Sequence, residues 1–228
     1  MCGRYAASRR PEDLVVEFEA ANATGGQQLP LDYNVAPTKE VHAVLVRRGV
    51  RQLRVLKWGL VPSWAPDATG GARMINARAE TLADKPAFRS ALARRRCLIP
   101  ADGWYEWAPS NDGPGRQPYF ITPADGSPLA FAGLYEVRND LVTCTIVTTA
   151  ATGQLTAVHH RMPVVLGRAR WAGWLDPESP DPTRLLAPDA GILGGLELRP
   201  VGRAVGNVDN NGPSLIAPVP EIVPQRLF

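Results

Sequence analysis

Alternation of apolar and polar residues predicts β-strands along much of the chain. The segments VHAVLV (41–46) and LRVLKWGL (53–60) flank the pair Arg48-Gly49, and this arrangement predicts a hairpin. Further strands are predicted over 96–109, 118–123, 129–137, 141–149 and 196–201, and clusters of glycine and proline separate several of them. Short connections between neighbouring strands favour antiparallel pairing.

Three segments have the periodicity and boundaries of helices. SRRPEDLVVEFEAAN (8–22) carries a proline where the first turn begins, and acidic residues follow it. KPAFRSALARRR (85–96) is basic at its carboxyl end, where cations stabilise a helix. RARWAGWLDP (168–177) places Trp171 and Trp174 on one face, and we expect both in the core. Because strands are in the majority, the sequence predicts an α+β fold with a mostly antiparallel sheet.

The length of 228 residues fits a single domain, and no interior segment has the composition of a linker. We expect a core over 1–216 and a proline-rich tail over 217–228, with the whole of 210–228 extended on the surface. The sequence has no run of about 18 apolar residues, so we expect no membrane span. Its N-terminus lacks a basic segment that leads into an apolar one, so we expect no signal peptide.

Composition narrows the chemistry. Cys2, Cys97 and Cys144 are few and widely spaced, so we expect a reducing cytoplasm, no disulfide, no metal and no cofactor. The net charge is only +3, but all except three of the 25 basic residues are arginine. The base composition of the genome explains such a bias, so binding to nucleic acid has to be argued from individual arginines.

Cys2 directly follows the initiating methionine. Removal of Met1 leaves a 1,2-aminothiol, whose amine has a pKa of about 7.7–8.0 and whose thiol has a pKa of about 8.5. Such an amine condenses with an aldehyde to an imine, and the thiol then closes a five-membered thiazolidine. The amine can also act as a base for its own side chain, as in N-terminal nucleophile hydrolases. The alternative is that Cys2 is merely a frayed terminal residue.

Two short segments carry candidate polar groups on one strand face. In INARAET (75–81), Asn76, Arg78 and Glu80 alternate and so share a face, although a solvated strand with an Arg–Glu pair explains the same pattern. In IPADGWYEW (99–107), Asp-Gly signals a turn, and Glu106 shares a face with Trp104. A carboxyl group in aromatic surroundings has a raised pKa and suits acid–base catalysis; the alternative is a glutamate at the rim.

The segment AVHHRMPVVL (157–166) places His159, His160 and Arg161 before a strand. Histidine suits proton transfer at neutral pH, and the arginine suits an anion. In an extended segment the two imidazoles point apart, so one at most faces a given site; both can equally be surface residues. Trp64, in WGLVPSWA (58–65), is a candidate platform on which a base could stack. The alternative is that Trp64 is a core residue.

Taken together, these segments resemble the SOS-response-associated peptidase (SRAP) family. The resemblance extends from Cys2 to about Ile216, and it rests on seven blocks in the family's order: MCGR, YNVAPT, WGLVPSWA, INARAET, CLIPADGWYEW, VHHRMPVVL and GRAVGNVDNNG. It implies one α+β domain with a mixed, mostly antiparallel, barrel-like sheet, flanking helices and a positively charged groove. It also implies a sensor that crosslinks itself to abasic sites in single-stranded DNA through a thiazolidine, a lyase-like enzyme that protects the lesion.

The resemblance implies a role for each matching residue. Cys2 is the nucleophile, Asn76 orients it, Glu106 moves protons, and His159 assists ring opening of the sugar and reversal of the crosslink. Contacts to DNA are implied for Arg4, Trp64, Arg78, Thr148 and Arg161. We expect a cytoplasmic monomer that acts at damaged DNA in the nucleoid and meets proteins of the replication fork.

Two other functions remain open at this point. One is a cysteine peptidase limited to processing its own N-terminus, as the family name suggests. The other is a non-catalytic protein that binds single-stranded DNA through its arginines and Trp64.

Overall fold

The computed structural model describes residues 2–109 and 115–219. The strands of this part of the chain are β1 (Tyr5–Ala7), β2 (Ala21–Asn22), β3 (Asp32–Val35), β4 (Glu40–Arg47), β5 (Val50–Trp58), β6 (Asn76–Arg78), β7 (Arg96–Ala101), β8 (Gly103–Pro109), β9 (Arg116–Pro123), β10 (Leu129–Arg138), β11 (Leu141–Ala150), β12 (Arg161–Pro163) and β13 (Leu196–Pro200). The α-helices are α1 (Pro11–Glu17), α2 (Pro86–Arg94), α3 (Arg168–Leu175) and α4 (Ala190–Gly194). Short 3₁₀ helices span Thr69–Arg73, Ala79–Thr81, Gly153–Ala157, Pro182–Leu186, Arg203–Gly206 and Pro213–Ile216.

The larger sheet closes on itself. Its strands follow the order β12-β11-β10-β7-β4-β5-β2, and most neighbours are antiparallel. A parallel pairing of β11 with β5, through Thr143–Lys57 and Cys144–Trp58, joins the two sides into a ring. Strand β6 pairs with β11 in parallel as well. The fold is therefore α+β with a mostly antiparallel sheet, as the sequence pattern predicts, and the sheet is mixed and barrel-like, as the family resemblance implies.

A second sheet carries the N-terminal strand. Its order is β13-β9-β8-β1-β3, so β1 lies between β3 and β8. The chain crosses from one sheet to the other at Asp102, which separates β7 from β8. The carboxylate of Asp102 accepts hydrogen bonds from the backbone and hydroxyl of Ser8 and from Nε of Arg9. The Asp-Gly turn thus divides the strand predicted over 96–109 into two strands of different sheets.

Two large clusters of buried side chains fill the interior. One contains Cys2, Tyr5, Trp58, Trp104 and Phe131, so it joins the N-terminal segment to both sheets. The other packs the three longer helices against the opposite face of the larger sheet and contains Leu14, Phe18, Leu53, Leu92, Trp171 and Trp174. Both tryptophans of α3 are core residues, as expected.

The helix predicted over 8–22 is shorter in the structure. It begins at Pro11, where the ring presets the backbone, but it ends at Glu17. Glu19 then adopts a positive φ of 50°, and Ala21–Asn22 pair with β5 as the short strand β2. The helices predicted over 85–96 and 168–177 are also trimmed, to Pro86–Arg94 and Arg168–Leu175.

The hairpin around Arg48-Gly49 is confirmed. Both residues have positive φ, 53° and 76°, which is the geometry of the tight turns that join antiparallel strands. The expectation of an extended surface tail over 210–228 is wrong for Pro213–Ile216, which form a 3₁₀ helix whose Leu215 is buried. Residues 220–228 of the predicted tail lie outside the described residues. Within the described chain, no helix combines the length and apolar character needed to cross a membrane.

Candidate active site around Cys2

The N-terminal segment is packed into the protein rather than frayed. The backbone N–H of Tyr105 donates to the carbonyl of Arg4 at 2.9 Å, and Tyr5 pairs with Trp104 of β8. The side chain of Cys2 is fully buried in the cluster that also contains Tyr5 and Trp104. Packing against β8 thus gives Cys2 a defined position.

Cys2 and Glu106 share an electrostatic environment. Burial raises the pKa of the Cys2 thiol well above its ordinary value, and the negative charge of Glu106 raises it further. The thiol is therefore protonated at neutral pH and needs a base before its sulfur can act as a nucleophile. Glu106 is itself only 4% exposed, and burial raises the pKa of its carboxyl group to about 7. Such a carboxyl group can both accept and donate a proton near neutral pH.

Asn76 contacts the backbone of Cys2. Its Nδ2 donates to the Cys2 carbonyl oxygen at 2.8 Å. Strand β6 holds Asn76 in place, because Asn76 pairs with Ile146 of β11 and the indole of Trp58 donates to the carbonyl of Ile75 at 2.9 Å. The Oδ1 atom of Asn76 is buried and has no hydrogen-bond partner in the described chain. A polar acceptor is therefore available beside the candidate nucleophile.

Three neighbouring strands bring Arg78, Thr148 and Arg161 together. Thr148 of β11 pairs with Arg78 on one side and with Pro163 of β12 on the other. Nη2 of Arg161 donates to the carbonyl oxygen of Thr148 at 2.7 Å and lies 3.3 Å from its hydroxyl. Thr148 is only 1% exposed, so its hydroxyl faces Arg161 rather than solvent.

Arg161 forms an ion pair with Glu80. Its two terminal nitrogens contact the two carboxylate oxygens at 2.6 and 3.0 Å, a bidentate geometry. This pair lowers the pKa of the Glu80 carboxyl group. The predicted shared face of Asn76, Arg78 and Glu80 is wrong at Glu80, because the strand ends at Arg78 and Glu80 lies in a 3₁₀ turn that directs it to Arg161.

His159 is held by the backbone that follows it. The N–H of Arg161 donates to Nδ1 of His159 at 2.9 Å, and burial lowers the pKa of the imidazole. The expectation that the adjacent imidazoles point apart is wrong, since the segment turns and the rings of His159 and His160 stack with their centroids 4.3 Å apart. His160 is exposed and His159 half-buried.

The remaining DNA-contact candidates differ in exposure. Arg78 is exposed at the end of β6, and the side chain of Trp64 is 66% exposed in the loop after β5. Arg4, in contrast, is partly buried, and its Nη1 donates to Oδ1 of Asn34 and to the carbonyl of Val205. The exposed pair is open to a ligand, whereas Arg4 is engaged in internal contacts.

Sequence reasoning misses two polar residues of the site. Burial raises the pKa of Glu106 and lowers that of His159; the positive charge of Arg116, at the start of β9, opposes the first shift and adds to the second, so one cation acts on both groups. Asn34 is completely buried and binds Arg4. The YNVAPT block contains Asn34, but nothing local to it indicates a partner. No group of three or more His, Cys, Asp or Glu side chains in the described chain could hold a metal ion.

Comparison with known proteins decides the family. The model of the SOS response associated peptidase (SRAP) family matches residues 1–208. The chain belongs to the SRAP family. Among its relatives, the abasic site processing protein YoqW of Bacillus subtilis is 38% identical over 225 residues, which cover 95% of this chain and 99% of the relative. The abasic site processing protein YedK of Escherichia coli is 33% identical over 235 residues, which cover 96% and 100%.

Solved structures show the same SRAP fold. A protein from Bacteroides thetaiotaomicron superposes with a TM-score of 0.83 at 23% identity, covering 96% of this chain and all of that one. A phage-related protein from Bordetella bronchiseptica superposes with a TM-score of 0.69 at 31% identity, covering 88% and 94%. The first of these likenesses bears on the fold alone.

Proposed function

We propose that this SRAP protein processes abasic sites in single-stranded DNA by forming a covalent bond between Cys2 and the aldehyde of the opened sugar. The names of its relatives support abasic-site processing as the activity. The observation that carries the covalent step is the position of Cys2, buried beside a carboxyl group with a pKa of about 7. Asn76 fixes the carbonyl of the same residue.

The chemistry proceeds in two bond-forming steps once Met1 has been removed. The free amine of Cys2 attacks the aldehyde carbon, a C–N bond forms, and loss of water gives an imine. The sulfur then adds to the imine carbon, and the thiol proton ends on nitrogen as the thiazolidine ring closes. One water is released and no oxidant or reductant is needed. Ring closure needs a free amine and a thiol on the same residue, and only an N-terminal cysteine provides both.

Glu106 is the proposed proton carrier of both steps. Near neutral pH it can protonate the hydroxyl group that leaves as water, and its carboxylate can then take the proton of the Cys2 thiol. That second transfer is needed because burial raises the pKa of the thiol. His159, whose imidazole is kept neutral by its lowered pKa, is the proposed catalyst of sugar ring opening and of reversal.

Contacts to the DNA are proposed for the exposed pair Arg78 and Trp64 and for Arg161, with Thr148, whose buried hydroxyl faces Arg161, acting through that arginine. Arg78 can bind a phosphate, and the exposed indole of Trp64 can stack a base without regard to sequence. Arg161 reaches a phosphate only by sharing or leaving its ion pair with Glu80. An abasic lesion needs no base flipping, because no base has to leave the stack.

The covalent step is tested with protein whose N-terminus has been confirmed by mass to be Cys2. Mixed with single-stranded DNA that carries one abasic site, it should give a band of lower mobility on a denaturing gel. Cys2→Ala should abolish that band, while Cys97→Ala, a change at another fully buried cysteine, should keep it. Absence of the band with the wild-type protein, or its persistence with Cys2→Ala, would contradict the proposal.

A second candidate activity is removal of Met1 by the protein itself. It is favoured by the burial of Cys2 next to Glu106, since a thiol and a carboxylate can together cleave a neighbouring amide. In cells that lack methionine aminopeptidase activity, intact-mass analysis of Glu106→Ala should then show Met1 retained. If Met1 is still removed from this variant, self-processing through Glu106 is excluded. If the protein binds DNA only non-covalently, in contrast, neither the wild type nor any variant should retain DNA on a denaturing gel.

A further inference from the structure

Arg4 is bound by two acceptors from distant parts of the chain. Its Nη1 donates to Oδ1 of Asn34 at 2.7 Å and to the carbonyl oxygen of Val205 at 2.9 Å. These partners are 30 and 201 residues away in sequence. Burial lowers the pKa of the Arg4 guanidinium, so the group has given up part of its hydration for these internal contacts.

Asn34 connects Arg4 to the loop of the GRAVGNVDNNG block. The side chain of Asn34 is fully buried, and its Nδ2 donates to the carbonyls of Asn207 and Asn210, both at 2.9 Å, with Val205 at 3.4 Å. A buried amide with this many partners is costly to leave unsatisfied, which makes its orientation well defined. Its Oδ1 therefore presents a fixed acceptor to Arg4.

The loop is fastened to β3 by a second residue. Oδ1 of Asn211 accepts from the N–H of Tyr33 at 2.8 Å, and its Nδ2 donates to the carbonyl of Leu31 at 3.0 Å. The hydroxyl of Tyr105 in β8 donates to the carbonyl of Tyr33 at 2.7 Å. Strand β3 is thus joined both to the loop and to β8, so the two neighbours of β1 are connected close to Arg4.

From these contacts we propose that Arg4 is a positioning residue: it fixes the N-terminal segment through Asn34 and the loop 202–212, and it does not bind a DNA phosphate. The proposal rests on the proposed function, because it assigns a purpose to the position of Cys2. Terminal residues ordinarily fray, yet ring closure requires the amine and thiol to meet one carbon atom in a defined geometry. Asn76 holds the carbonyl of Cys2 and Arg4 holds the chain two residues later, so the backbone that carries the reactive residue is fixed at two points.

A positioning role and a phosphate contact predict different kinetics. The first measurement is the rate of thiazolidine formation with a small free aldehyde, propanal, which carries no phosphate. We expect Arg4→Met to slow this reaction by about 10- to 100-fold, because small displacements of a reacting group have effects of this size. The same factor should appear in the rate of crosslinking to abasic single-stranded DNA at saturating DNA concentration.

The second measurement is the salt dependence of non-covalent DNA binding, made in a Cys2→Ala background. Loss of one phosphate contact to a single strand lowers the slope of log affinity against log salt by about 0.7. We expect no change of slope for Arg4→Met, whereas the control Arg78→Met, at an exposed arginine, should show the decrease. Arg4→Lys keeps the charge but lacks the guanidinium fork, so it should remain as slow as Arg4→Met with propanal.

The outcomes separate the possibilities. If Arg4→Met lowers the salt slope while reacting with propanal at the wild-type rate, Arg4 binds phosphate and the positioning role is overturned. Rescue of both reactions by Arg4→Lys would likewise show that charge alone matters. If the wild-type protein reacts with propanal but forms no crosslink with abasic DNA, the proposed function fails while the role of Arg4 in fixing Cys2 stands. Thermal unfolding of each variant shows that the rates refer to folded protein.

Discussion

At the scale of single residues, Glu106 links chemistry to stability. Because it is buried, its carboxyl group has a pKa of about 7 in place of 4.5. Folding therefore favours the neutral form, and this contribution to stability is complete below about pH 4.5 and is lost as the pH rises through about 7. Glu106→Gln carries no charge at any of these values. We expect it to be more stable than the wild type at pH 8, on the order of 1–3 kcal/mol, and similar to it at pH 4, as measured by urea unfolding.

Glu136 provides a matched control for this prediction. It is as buried as Glu106, at 4% exposure, and it forms an ion pair with Arg95 at 2.9 Å. Glu136→Gln removes one partner of that pair and should destabilise the protein at pH 8. The two substitutions thus have opposite expected signs. A loss of stability at pH 8 in Glu106→Gln would show that the carboxylate is favourably bound in the folded protein.

Residue chemistry can be predicted from sequence where its cause is local. The aromatic neighbours of Glu106 stand beside it in the chain, so its raised pKa could be expected before the structure. The partners of Arg161 and Arg4 are different, because Glu80 lies 81 residues away and Val205 lies 201 residues away. Such pairs depend on which strands become neighbours, and no local pattern contains that information.

At the scale of elements, the hairpin strands are predicted well because a turn and its two flanking strands are contiguous. The division of segment 96–109 into two strands of different sheets is not predicted, although the Asp-Gly turn signal is present. Strand β7 pairs with β10 and β4, whereas β8 pairs with β9 and β1, so the same stretch serves two sheets. The exchange places Glu106 on β8, the strand that pairs with β1 directly after the N-terminal segment of Cys2, and so contributes to the site.

Gly103 permits the close contact of β8 with β9. A Cβ atom at this position would lie 2.5 Å from the carbonyl oxygen of Ile121 and 2.6 Å from the ring of Phe120. Gly103→Ala must therefore push the strands apart, three residues before Glu106. We expect a loss of about 1–3 kcal/mol of stability from this overpacking, measured by urea unfolding, and slower crosslinking than the wild type.

Gly194 supplies the control for that substitution. It lies in α4, and a Cβ atom there would have no neighbour within 4 Å. Gly194→Ala should leave crosslinking unchanged and stability equal or slightly increased, since alanine restricts the unfolded chain. Equal stabilities of the Gly103→Ala and Gly194→Ala variants would mean that β8 and β9 can separate at little cost.

At the scale of the whole molecule, closure of the ring depends on a few contacts between distant strands. The parallel pairing of β5 with β11 comprises two residue pairs, Thr143–Lys57 and Cys144–Trp58. Periodicity predicts each of the two strands but not their pairing, so the barrel-like sheet was expected only from the resemblance to the family. The same holds for the groove, because a net charge of +3 does not by itself indicate where a polyanion binds.

Binding of a DNA strand by the whole molecule should combine a salt-dependent and a salt-independent part. Trp64 belongs to the second part, since its indole is 66% exposed and uncharged. In a Cys2→Ala background, where no covalent product accumulates, we expect Trp64→Ala to weaken binding to single-stranded DNA by about 5- to 100-fold, the equivalent of one stacked base. Fluorescence anisotropy at several salt concentrations should give the same salt slope as the parent, because no phosphate contact is lost.

Trp64→Phe should recover most of the affinity, and Val16→Ala, at another highly exposed apolar residue, should not change it. Unchanged affinity in Trp64→Ala would place the stacking surface elsewhere, and a reduced slope would mean that the loop of Trp64 positions an arginine instead of a base.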